Sequence, residues 1–238
     1  MCTSTHIQLL ATINYMSINY NSKINFIQLL FIKEVTSLLT IADVNLANNK
    51  ELQAENEKHQ LTKKITSTED AEKWIDIHFY HYEFIPTLFH SLFTGMYSRF
   101  ESFLKEVATI IESNNANRIK INDIQSRGII DKYRKFLNLV YEIDNADGSK
   151  EEWKKFEIFQ FLRNKIVHNE SKLINNSNQD FKSTNGYKLL TEYKLNRIRK
   201  NGEFKIEDLK FLEDFGDLIM FLGQSITIEL AKSKLNCG

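Results

Sequence analysis

At 238 residues, with 42% hydrophobic and 26% charged residues, the chain has an ordinary globular composition, which excludes disorder throughout. A chain of this length hides roughly three-quarters of its unfolded surface, so it needs no disulfide or metal staple. Lysine plus arginine and aspartate plus glutamate both number 31, and the resulting zero net charge excludes a protein that coats nucleic acid by bulk electrostatics while leaving a local RNA site open.

The first 22 residues carry no basic region ahead of an apolar stretch, so no secretory signal is read there. Residues 1–23 are expected to be a poorly ordered segment, with Met16 as an alternative start, ahead of a single domain over 24–238. Ile24 to Ile32 is apolar but, taken alone, too short to span a bilayer, and the chain reads as cytoplasmic with no membrane partner. Cys2 and Cys237 lie at opposite ends, which gives neither a disulfide framework nor a metal spacing and fits two reduced thiols.

Ile24, Ile27, Leu30, Ile32, Val35, Leu38, Leu39 and Ala42 recur at steps of three and four, the mark of an apolar helical stripe. Residues 48–65 turn charged and continue that helix or form a solvated arm. Ser67-Thr68-Glu69-Asp70 is a helix start, a hydroxyl followed by acids in the first turn. The helix it opens runs through Trp74, Ile77, His78, His81 and Phe84 until Pro86, the only proline, kinks or restarts it. From Thr87 a strong stripe of Leu88, Leu92, Met96, Phe100, Phe103, Leu104, Val107 and Ile111 runs to Asn114-Asn115.

A short connection over 119–128 leads to a helix over Ile129 to Ile143, and Asp144 to Ser149 is a loop by composition. Lys150 to Asn169 is expected to be a helix with Trp153, Phe156, Phe159, Leu162 and Ile166 facing inward. Residues 170–192, rich in Asn and Ser, read as a mobile loop. Asn201-Gly202, between short alternating runs, predicts a two-residue hairpin turn within 193–206. Glu207 to Lys234 is the last amphipathic helix. The sum is an all-α, up-and-down helical bundle with a small β-hairpin insertion.

The polar end of the Lys150–Asn169 helix carries the chemistry. Asn164 and His168 share a face at four-residue spacing, whereas Arg163 and His168, five apart, point about 140° away from each other. Read without its neighbours, the pair is a solvated helix end with His168 favoured by the helix dipole. The segment Phe159-Gln160-Phe161-Leu162-Arg163-Asn164-Lys165-Ile166-Val167-His168-Asn169 resembles the signature of the HEPN superfamily, an arginine followed by a polar residue and, four to six positions on, a histidine, on an aromatic-rich helix. The order of elements over roughly 25–235, including Arg127-Gly128-Ile129-Ile130-Asp131-Lys132-Tyr133 after a turn, is similar to bacterial HEPN proteins of defence and toxin systems.

That resemblance implies a HEPN-type bundle and a metal-independent endoribonuclease without cofactor, acting in anti-phage defence or as a toxin. Arg163 and His168 would be catalytic, with Asn164 in support. Histidine exchanges protons near neutral pH, and arginine presents a fork of donors to a phosphate where negative charge develops. Attack by the 2′-hydroxyl would leave a 2′,3′-cyclic phosphate and a 5′-hydroxyl. One histidine does not readily serve as acid and base at once, which favours pairing two protomers as a homodimer. A protein inhibitor or defence-system partner is part of the same expectation. Where some toxin relatives carry a modifiable tyrosine two residues after the histidine, this chain has Glu170. The alternative is a non-catalytic HEPN module that holds a partner protein or a nucleotide.

Four further readings complete the expectation. Glu101, on the helix from Thr87, is expected to face the catalytic pair, although a local ion pair or a solvated face is the plainer reading of Arg99 and Glu101. Lys165, Arg197, Arg199 and Lys200 are candidate RNA-binding residues. The last three belong to a basic stretch with Lys182, Lys188, Lys194 and Lys205, interrupted by Tyr187 and Tyr193, where cations and aromatic faces suit single strands. His78 and His81, with Glu83 nearby, read as partly buried histidines with hydrogen-bond partners rather than metal ligands, and His90 likewise.

Overall fold

The computed structural model describes residues 22–60, 67–79, 83–114, 119–174 and 180–235. The expectation for residues 1–21 therefore lies outside the described residues, as does His81. Helix α1 spans Ser22–Gln60 without a glycine or proline to interrupt it. Helix α2 spans Thr68–Phe79. Helix α3, Ile85–Asn114, carries Pro86 in its first turn, where a proline forfeits no helical hydrogen bond. Helix α4 is Ile129–Tyr141, and Glu142 ends it in the left-handed region at φ 54°. Helix α5 is Glu151–His168, α6 is Asn185–Thr191 and α7 is Leu209–Leu235. Strands β1, Arg197–Ile198, and β2, Phe204–Lys205, pair antiparallel with Arg197 opposite Lys205 and Ile198 opposite Phe204. The molecule is an all-α bundle with a small hairpin, as the sequence predicts.

Helices α1, α3 and α7 pack on one another, and α5 packs on α3 and α7. Phenylalanines fill the seam: Phe93 meets Phe215 edge-on at 4.7 Å, Phe159 lies 5.0 Å from Phe215, and Phe100 lies 5.3 Å from Phe156. Such ring pairs contribute about 0.5–1.5 kcal/mol each beyond the burial of their area. They fix α5 against α3, which sets where the polar end of α5 lies. Glu229 on α7 adds a polar tie, its carboxylate accepting from the backbone N–H of Asp144 (2.7 Å) and of Asn145 (2.8 Å).

Four sequence expectations change. Leu30 is 44% exposed while Phe31 beside it is buried, so the inner stripe of α1 runs one position later there. The apolar stretch of α1 extends over Lys23–Asn48, long and apolar enough by length and composition to cross a membrane, although its inner face packs in the core. The region 170–192 is not a single loop. Ser171, Lys172 and Leu173 lie along the hairpin, Leu173 N–H donating to the Gly202 carbonyl at 3.0 Å and Phe204 N–H to the Ser171 carbonyl at 2.9 Å, and α6 buries Leu189 and Leu190. The hairpin turn is also longer than two residues. Gly202 N–H donates to the Arg199 carbonyl at 2.9 Å, and Gly202 takes φ 79° as the last residue of that turn, the place a glycine fills most readily.

Candidate functional site

The Arg163 end of α5 packs on α3, and α3, α4 and α5 together line an open cleft of about 800 Å³. Tyr97 and Glu101 line it from α3, Arg127 from the turn before α4, Asp131, Arg134 and Lys135 from α4, and Glu157, Gln160, Arg163 and Asn164 from α5. The α5 group follows helical arithmetic, since positions 157, 160 and 164 recur at steps of three and four.

Arg163 is held in place. Its guanidinium carbon lies 4.7 Å over the Tyr97 ring, and Nη1 donates to Asn164 Oδ1 at 3.1 Å. Tyr97, only 4% exposed, is fixed in turn: it stacks on Phe156 at 5.7 Å, and its hydroxyl accepts from Gln160 Nε2 at 2.7 Å. Burial pushes the Tyr97 hydroxyl above its ordinary pKa, and the Glu101 carboxylate adds to that rise. The same two causes raise Tyr133. Among the described residues Arg163 Nε is buried with no hydrogen-bond partner, which costs about 1–3 kcal/mol, and no carboxylate pairs with this guanidinium.

The other cleft cations differ in that respect. Arg134 donates to Asp131 at 2.6 Å and to the Ala146 carbonyl at 3.1 Å, and Lys135 pairs with Asp131 at 2.9 Å. Asp131 is held below the usual carboxylate range by hydrogen bonds from Lys135 and Arg134, which outweigh its burial. Arg127 is exposed and makes no ion pair among the described residues.

The structure brings Arg163, Asn164 and Glu101 into one cleft and leaves His168 out of it. His168 is the last residue of α5, exposed, and does not line the cleft. Five residues along a helix place it about 7.5 Å further up the axis and about 140° around it. The chain beyond it turns sharply. Glu170 and Ser171 both take positive φ, 50° and 60°, and the Lys165 carbonyl accepts from the N–H of both Asn169 and Ser171 at 3.0 Å. Two consecutive left-handed residues that are not glycine cost of order 1–3 kcal/mol each, so this turn is held by what surrounds it. Part of that hold is His90, whose Nε2 accepts from Ile206 N–H at 3.2 Å and whose Nδ1 lies 3.4 Å from Ser171 Oγ.

The expected basic patch is weaker than its sequence. Arg197 is clamped by both carboxylate oxygens of Glu207. Arg199 pairs with Glu203 at 3.0 Å and Lys205 with Glu83 at 2.8 Å. Lys200 is exposed on the turn. Lys165 turns its amine over the Phe161 ring at 5.3 Å, away from the lining of the Arg163 cleft, and burial lowers its pKa. Arg99 pairs with Glu34 at 3.5 Å rather than with Glu101. Among the described residues no three His, Cys, Asp or Glu side chains cluster as metal ligands would.

Sequence reasoning missed Tyr97, Gln160 and Arg127. Two of them carried a signal: Tyr97 is four residues before Glu101 and Gln160 three before Arg163, each on the face already singled out. Fold and site together define an all-α bundle with an arginine-bearing open cleft. Comparison with protein families, with curated proteins and with solved structures finds no match to this chain.

Proposed function

We propose that this chain is a metal-independent RNA endonuclease, as its resemblance to HEPN proteins implies, with a site composed from two copies. The observation that supports it is the Arg163 guanidinium, oriented by Tyr97 and Asn164 in an open cleft and paired with no carboxylate among the described residues. An anion in the cleft gives this group an acceptor for donors it does not now satisfy. In the reaction the 2′-oxygen attacks phosphorus and its proton passes to a base. The P–O5′ bond breaks and the leaving oxygen takes a proton from an acid. Arg163 stabilises the charge that develops on the phosphate oxygens. Glu101, in the same cleft, and His168 have the chemistry for the two proton transfers. Because His168 does not line its own chain's cleft, the His168 of a second copy supplies the imidazole. A cytoplasmic role as a defence nuclease or toxin, with RNA as substrate and a protein inhibitor as partner, belongs to the same reading.

The test is cleavage of a labelled RNA by wild type and by His168→Ala, with the product ends identified. Cyclic phosphate and 5′-hydroxyl ends from wild type alone are expected, together with growth arrest on expression of wild type alone. Equal behaviour of the two proteins overturns the reading. The position of His168 outside the cleft also favours a second reading, a non-catalytic module that binds a partner or nucleotide at Arg163. In that case His168→Ala binds as wild type does and neither cleaves.

A further inference from the structure

We infer that Arg127 holds a second phosphate of the strand whose scissile phosphate lies at Arg163, so that the cleft reads at least two consecutive phosphates of a ribose-containing single strand. This rests on the nuclease reading for the first phosphate and adds a residue outside the motif.

On the hairpin, Arg197, Arg199 and Lys205 are each committed to a carboxylate, Glu207, Glu203 and Glu83. In the cleft, Asp131 occupies Arg134 and Lys135. Two guanidiniums lining the cleft remain without a carboxylate among the described residues: Arg163, braced on Tyr97, and Arg127, exposed in the turn before α4. An exposed arginine without an ion pair keeps donors for a ligand, and its planar fork matches a phosphate. The space beside it is open as well, since a Cβ built on Gly128 meets no atom within 4 Å.

The cleft also carries Glu101 and Glu157, which make no ion pair among the described residues. Carboxylates repel phosphates but accept hydrogen bonds from hydroxyls. A cleft lined by both guanidiniums and carboxylates therefore suits a strand that alternates phosphates with ribose hydroxyls, and suits a uniformly anionic ligand poorly. Local placement of charge also explains how a chain of zero net charge can engage RNA.

The experiment separates one phosphate from several. Wild type, Arg127→Ala and Arg127→Lys are compared on a dinucleoside monophosphate, which has one phosphate, and on a hexanucleotide. Arg127→Ala is expected to lower kcat/KM on the hexamer about tenfold and to leave the one-phosphate substrate unchanged, with Arg127→Lys between them. Equal loss on both substrates, or loss on neither, overturns the proposal. Binding of a fluorescent 2′-O-methyl hexamer is read in parallel, where Arg127→Ala is expected to weaken affinity and make its salt dependence shallower by about one phosphate contact. Should wild type bind this oligomer but cleave nothing, the nuclease reading fails while the binding arm still decides Arg127. Should wild type neither bind nor cleave, both fall.

Discussion

The guanidinium of Arg163 lies 4.7 Å over the ring of Tyr97, and the Tyr97 hydroxyl accepts a hydrogen bond from Gln160, three residues before Arg163 on the same helix. Helix α5 thus holds the ring that holds its own arginine, and α3 supplies that ring.

Tyr97→Phe keeps the ring under the guanidinium and removes one hydrogen bond, a change of about 1 kcal/mol. Tyr97→Leu removes the ring and opens space in a buried site, a loss of about 2–4 kcal/mol. If the ring positions Arg163, RNA cleavage by the Phe variant stays within a few-fold of wild type, whereas the Leu variant loses more than its folded fraction explains. Urea unfolding beside kcat/KM on one RNA checks this. A Leu variant that is folded and fully active removes Tyr97 from any positioning role.

A composite site makes a numerical prediction for mixed proteins. Arg163→Ala and His168→Ala are each expected to be inactive alone. Unfolded and refolded together at equal amounts, half of the dimers are mixed, and each mixed dimer holds one intact site of two. About a quarter of wild-type activity then returns. Arginine and histidine acting within one chain give no recovery.

Much of the fold was legible in the sequence because the main stripes are long. Leu88, Leu92, Met96, Phe100, Phe103 and Val107 repeat over most of the thirty residues of α3, and helical periodicity sums over such lengths. Helix α6 was not legible. Its seven residues are too few to form alone, and the flanking Asn and Ser mark a loop. Leu189 and Leu190 are drawn in by packing on α5, which no local pattern records. The site was half legible for a similar reason. Arg163 and Asn164 stand out within one segment, but Arg127 joins them only through the way α4 packs.

Gly186 tests that packing. A Cβ at this position would meet Phe161 at 2.7 Å and Leu162 at 2.9 Å, with Leu162 in the core and directly before Arg163. Gly186→Ala must shift α6 or push on α5, and overpacking of this kind costs about 1–3 kcal/mol. Lower stability by urea unfolding and lower RNA cleavage are expected together. An alanine variant as stable as wild type shows that α6 yields without strain.

His90 sets the response to acid. Burial, helped by Lys205, lowers its pKa from 6.5 to about 4, and as neutral imidazole it accepts the Ile206 N–H and faces Ser171 in the left-handed turn after His168. The unfolded chain takes up the proton as pH falls through about 6.5, while the native state resists until about 4. Stability contributed by His90 is therefore complete above about pH 6.5 and is lost as pH falls toward 4, by roughly 3 kcal/mol in all. In His90→Gln the amide oxygen can accept the same N–H without titrating. Urea unfolding from pH 7 to pH 4.5 is expected to fall more steeply in wild type than in this variant, with amide exchange at Ile206 and Phe204 rising first in wild type. Parallel slopes for the two proteins remove His90 as the latch on the turn behind His168.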